Sequence, residues 1–199
     1  MSDDTNSYLS LLADEMEEVQ LSAAEAVLRH TTEMLGDEEA STYELRCAGR
    51  CLCESLRDAL RVAESRGARL ACGLGGPDPA QGDGDAVSTR RLLPWPDPAG
   101  QPSYLVSDDT NSHVSQLADQ MEEEQLNTAE TVLRLAADLL REAKASSCEL
   151  RCAGHRLCES LRDALRVAES RGGRLSGVAD VDDDGGSPSE AVHDHGRSE

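Results

Sequence analysis

Cys148, Cys152 and His155 stand at i, i+4 and i+7 in the run CELRCAGH, and Cys47 and Cys51 stand at i and i+4 in CAGRC. On a helix such spacings share a face. Either cysteine pair, or Cys152 with His155, can therefore offer two ligands to zinc or copper(I), both of which accept thiolates. A full set of four needs another chain or a mobile segment, because Cys148 and His155 lie about 10 Å apart along a helix axis. The first cysteine pair has even less around it: Tyr43 and Arg50 stand where the second has Cys148 and His155. Zinc or copper(I) on Cys148, Cys152, His155, Cys47 and Cys51 is thus a candidate, and reduced thiols on a partly exposed helix face are the plainer expectation. The odd count of seven cysteines also favours thiols or ligands over disulfides.

Catalytic constellations are scarce. Di-iron bundles need Glu-x-x-His motifs on their core helices, and none lies there. Glu15, Glu17 and Glu18 can attract a divalent cation only with acids facing them. The candidates Glu54 and Asp58 project outward, so a solvated acidic face is expected. No Gly-rich phosphate loop or Ser/His/Asp set is present, and no enzymatic activity is expected. Arg57, Arg61, Arg66 and Arg69, with Arg162, Arg166, Arg171 and Arg174, form a possible phosphate-binding stripe. Asp58 and Glu64 weaken its field, and it holds no aromatic residues for base stacking.

These residues sit on a repeated frame. Residues 2–70 align without a gap on 107–175 at an offset of 105, with about two-thirds of positions identical. SDDTNS recurs at 2–7 and 107–112, and ESLRDALRVAESRG at 54–67 and 159–172. His30 has Leu135 as its counterpart, which argues against a shared histidine site. Within each copy the apolar spacing is helical. Leu9, Leu12, Met16, Val19, Ala23, Val27, Leu28 and Leu35 are among the residues of one stripe; Leu45, Ala48, Leu52, Leu56, Leu60 and Ala63 belong to the next. The first stripe keeps its phase across Ser22, which predicts one continuous helix despite cap-like residues at Ser22 and Asn127. Ser41 with Glu44, and Ser146 with Glu149, fit capping boxes, and Gly67 and Gly172 are read as C-terminal caps. Helices of about 26–28 residues, roughly 40 Å long, follow.

The expected fold is all-α: two tandem-duplicated antiparallel helical hairpins, 1–70 and 107–175, forming a four-helix bundle. First helices are acidic and second helices mildly basic, so their flanks should attract. The Gly/Pro/Asp-rich stretch 71–106 is read as a solvated linker, whose patch Leu92-Leu93-Pro94-Trp95-Pro96 can dock on the body or a partner. The tail 176–199 is read as a disordered acidic run in which His193 and His195 can chelate metal only weakly. Projected at 100° per residue, Cys47 and Cys51 fall about 200° and 240° from the core stripe, and Cys53 on a flank at about 80°. The run RCAGRCLCESL resembles the Cys-lined helices of copper-storage four-helix bundles over about ten residues; the projection leaves Cys47 and Cys51 outside the bundle, so the resemblance carries no further.

A charge of −20, with eighteen Arg and only Lys144 as lysine, opposes compaction in dilute buffer. At molar salt the Debye length falls to about 3 Å. The acid-rich, Lys-poor composition resembles that of cytoplasmic proteins from salt-accumulating halophilic archaea. No apolar run is long enough for a membrane span, and Met1-Ser2-Asp3-Asp4 lacks a signal-peptide pattern, so a cytoplasmic location is expected. The leading functional expectation is a non-enzymatic module that binds a protein partner or itself. A thiol- or metal-responsive protein is the second reading and a small DNA-binding regulator the third.

Overall fold

The computed structural model describes residues 3–72, 89–107 and 112–176. Four helices, α1 (Asp3–Gly36), α2 (Thr42–Ala71), α3 (His113–Arg141) and α4 (Ser147–Ser176), form a bundle, with a β-hairpin, β1 (Thr89–Pro96) and β2 (Pro102–Ser107), between α2 and α3. α1 and α3 each run unbroken through Ser22 and Asn127, as the constant stripe phase requires. All four helices are longer than the sequence suggested, reaching 34 residues in α1. The acidic tail beyond Ser176 and the linker's first part, 73–88, lie outside the described residues.

The two repeats interlock. The second helices, α2 and α4, make the largest interface; α1 packs on α2 and less on α4, and α3 packs on α4 and less on α2. First helices thus sit on opposite sides of a central pair, related by a pseudo-twofold. Leu52, Leu56, Leu157, Leu161, Ala63 and Ala168 are fully buried along the seam, a Leu/Ala core in a chain without Phe. Close approach comes from Gly49 and Gly154, where an added Cβ would lie 2.7 Å from Leu140 Cδ2 and 2.6 Å from Leu35 Cδ2. Those leucines belong to the other repeat in each case.

Backbone chemistry follows the same exchange. Ser41 and Glu44 form a full capping box on α2, and Ser146 and Glu149 make the matching bonds on α4. Arg46 donates to Leu140 O and Glu142 O, at 2.8 and 2.6 Å, and Arg151 donates to Leu35 O and Asp37 O, at 3.1 and 2.7 Å. Each arginine therefore caps the C-terminal carbonyls of the other repeat's first helix.

Three expectations need correction. Gly67 and Gly172 do not end their helices, which continue to Ala71 and Ser176. They are needed for space: a Cβ at Gly67 would lie 2.5 Å from Arg171 Nη1, and one at Gly172 would strike Arg66. Cys53, placed on a flank by projection, is buried, as is its twin Cys158. Residues 89–106, read as solvated linker, instead form a hairpin with Arg91 opposite Leu105 and Leu92 opposite Tyr104. Proline normally argues against a strand, but both strands of a two-stranded sheet are edges, where the missing N–H costs little. A register shift between Leu92 and Pro96 breaks the alternation, and Leu92, Leu93 and Pro94 are all buried. The Asp97 carboxylate accepts from the amides of Ala99 and Gln101, and Gly100 takes φ +81°, closing the turn.

Candidate functional site

The densest polar chemistry lies at the end of the bundle where α1 and α3 begin and α2 and α4 finish. In the second repeat Glu122 of α3, its side chain 1% exposed, accepts from Arg171 Nε (3.2 Å), Arg174 Nη2 (2.9 Å) and Arg91 Nη2 (2.8 Å). Arg91 comes from β1. It also donates to Asp119 (2.7 Å) and to the Ser115 carbonyl (3.0 Å). Ser170 Oγ donates either to Leu92 O (3.0 Å) or to Glu122 Oε1 (2.9 Å), and Gln125 Nε2 donates to Pro94 O (3.0 Å). An extended segment is thus held at an arginine, at two of its carbonyls and by a buried apolar run. Buried charge tolerates this only because each carboxylate oxygen is met by donors.

The first repeat builds the same cluster without the hairpin. Glu17, 12% exposed, accepts from Arg66 Nε (2.9 Å) and Arg69 Nη2 (2.7 Å), while Asp14 accepts from Arg69 Nη1 (2.5 Å) and Ser65 Oγ donates to Glu17 (2.9 Å). The twin arginines respond to the difference. Burial alone would lower Arg69, but its hydrogen bond to Asp14 and the charges of Glu17 and Asp14 carry it above the ordinary arginine value. Burial pulls Arg174 below that value; the Glu122 charge opposes this, and the extra cation Arg91 adds to it.

The metal candidates lie elsewhere, near the opposite end. Cys51, Cys148, Cys152 and His155 are exposed and Cys47 is half-buried. Cys148, Cys152 and His155 line one open depression on α4 together with Arg151, Arg156 and Glu159. Among the described residues no group of three or more His, Cys, Asp or Glu side chains is arranged to hold a metal ion. Beside this face an apolar groove of about 320 Å³ runs between α3 and α4, lined by Val132, Leu135, Ala136, Leu139 and Ala153.

Five of the eight stripe arginines are paired within the chain: Arg66, Arg69, Arg171 and Arg174 turn into carboxylates, and Arg61 pairs with Asp58 at 3.0 Å. Glu17 and Glu122, which the sequence reading left on a solvated acidic face or did not single out, anchor the two clusters, and Arg91 was not singled out either. A trace was present in the repeat itself: Asp14 and Glu17 recur as Asp119 and Glu122, while Glu15 becomes Gln120 and Val19 becomes Glu124.

No protein-family model, curated protein or solved structure matches the chain. No helix among the described residues is long and apolar enough to cross a membrane. The chain is a duplicated, interlocked helical bundle with a hairpin held at one end.

Proposed function

We propose that the chain is a non-enzymatic helical protein-interaction module that works in a salt-rich cytoplasm. The observation that supports this reading is the docked hairpin: a bundle end grips an extended segment through Arg91 on Asp119 and Glu122. Exposed Leu11, Leu12, Met16 and Val19 on α1 add apolar surface of the kind that marks contact sites. Affinity capture from the native host at molar KCl tests it. A stoichiometric protein partner, or saturable self-association, is expected; recovery of the chain alone as a monomer counts against it.

A second reading, a thiol- or metal-responsive protein, draws on the shared depression of Cys148, Cys152 and His155. Metal analysis of the purified protein separates the two, since less than about 0.1 zinc or copper per chain removes the metal form of that reading.

A further inference from the structure

We infer that the free end of the first repeat, framed by Ala13, Asp14, Glu17, Gln20 and Ser65, is a docking groove for an extended segment of a partner protein that presents an arginine followed by apolar residues. The inference rests on the interaction-module reading and gives that module a place and a partner chemistry.

The groove's twin already holds such a segment. Five residues of the second repeat bond the hairpin: Ser115, Asp119, Glu122, Gln125 and Ser170. At the offset of 105 their counterparts are Ser10, Asp14, Glu17, Gln20 and Ser65, identical in every case. On the α2 side the run 64–70 differs from 169–175 only in Ala68 for Gly173. A Cβ at Gly173 would meet nothing within 4 Å, so this change leaves the groove's shape intact.

What differs is cover. Ala118 and Ser170 are buried, while their twins Ala13 and Ser65 are exposed. Glu17 Oε1 accepts from Ser65 Oγ, and among the described residues it has no counterpart to the bond that Arg91 makes with Glu122 Oε1.

The occupant follows from charge and tethering. Asp14 and Glu17 can each accept a further donor, and their twins Asp119 and Glu122 share Arg91, so the matching head group is a guanidinium, whose planar fork fits two carboxylates. The hairpin of a second copy is the poorer candidate. Only residues 108–112 separate β2 from α3, and so short a tether keeps the hairpin in its own groove at high effective concentration. Moving it to another chain would empty one groove to fill another.

The test uses the full chain and a labelled, head-to-tail cyclised peptide of residues 89–107 as the probe, cyclised because an isolated hairpin is marginally stable in water. Fluorescence anisotropy at low and molar KCl should show one saturable site. Ala13→Gln, at an exposed position outside the ion pairs, should fill the groove and weaken binding at least about tenfold, as should Asp14→Asn. Glu123→Gln, on the exposed surface of α3 away from both clusters, should leave binding within about twofold. Thermal melts confirm that the variants fold. Absence of binding, or loss in Glu123→Gln but not in Ala13→Gln, overturns the assignment. If the peptide fails while high-salt capture still yields a stoichiometric partner, the groove falls and the module reading stands. If capture and self-association assays both come up empty while the peptide binds, the module reading falls and the groove stands.

Discussion

Arg66 and Arg171 cross the pseudo-twofold in opposite directions, Arg66 Nη1 donating to Ala168 O at 2.9 Å and Arg171 Nη1 to Ala63 O at 2.8 Å. Each lies over the glycine that follows the other, Gly172 under Arg66 and Gly67 under Arg171. Two positions thus tie both repeats together and hold Glu17 and Glu122 in place.

Gly67→Ala and Gly172→Ala are expected to destabilise the bundle although alanine is the better helix former. Alanine gains about 1 kcal/mol in an ordinary helix interior. Here the methyl displaces a guanidinium and costs a charge-assisted bond of about 1.5–3 kcal/mol. A net loss of about 1 kcal/mol in urea unfolding is predicted for each. A net gain would mean that the crossing arginines are not seated as described.

Removal of the two anchoring carboxylates should differ in cost. Glu122→Ala removes the acceptor that Arg91, Arg171 and Arg174 share and leaves only Asp119 to offset three cations, for a loss of about 3–5 kcal/mol. Glu17→Ala weakens the hold on Arg66 while Asp14 keeps Arg69 paired, in a cluster water can reach, and should cost about half as much. Equal losses in urea titrations would contradict the burial difference.

Arg91→Ala should free the hairpin without unfolding the helices. Trp95, the chain's one tryptophan, sits half-buried in β1 and reports it directly. A red-shifted emission with unchanged helical circular dichroism is the expected outcome, whereas an unshifted spectrum would show that Leu92, Leu93 and Pro94 suffice to dock the strand.

Acid should first loosen the starts of α2 and α4. Hydrogen bonds from the Ser41 side chain and backbone, and from the Ser146 backbone and side chain, hold Glu44 and Glu149 below the ordinary carboxylate value of 4.5. A carboxylate lowered on folding contributes stability above its unfolded value, and that stability is lost as pH falls through the folded one. The caps should therefore hold at neutral pH and fail progressively below about pH 4.5. Amide exchange at Leu45 and Leu150 should accelerate across that window, and Glu44→Gln should remove the pH dependence at Leu45.

Much of this architecture was legible beforehand, for identifiable reasons. The stripe through Ser22 kept its phase, so α1 is continuous, and the Ser41/Glu44 box marked the start of α2. Glycine misled because its freedom in φ and its small size are separate properties. Gly67 and Gly172 are used for the second, and among the described residues only Gly100 takes a positive φ. The hairpin was hidden because its prolines are tolerated only where no third strand follows, and Arg91 is satisfied by acids far off in sequence. Charge counting did foresee that acidic α1 and α3 would meet basic α2 and α4. It could not tell that Glu122 would be buried with three arginines, which depends on where the hairpin lands.

The interlocking of the two repeats within one chain is tested most directly by nuclear Overhauser contacts between Leu35 methyls and Gly154 Hα, and between Leu140 methyls and Gly49 Hα. Measured on a mixture of isotope-labelled and unlabelled chains at molar KCl, both contacts should appear, and only within a chain. Their absence, or their appearance only between labelled and unlabelled molecules, would contradict the interlocked bundle.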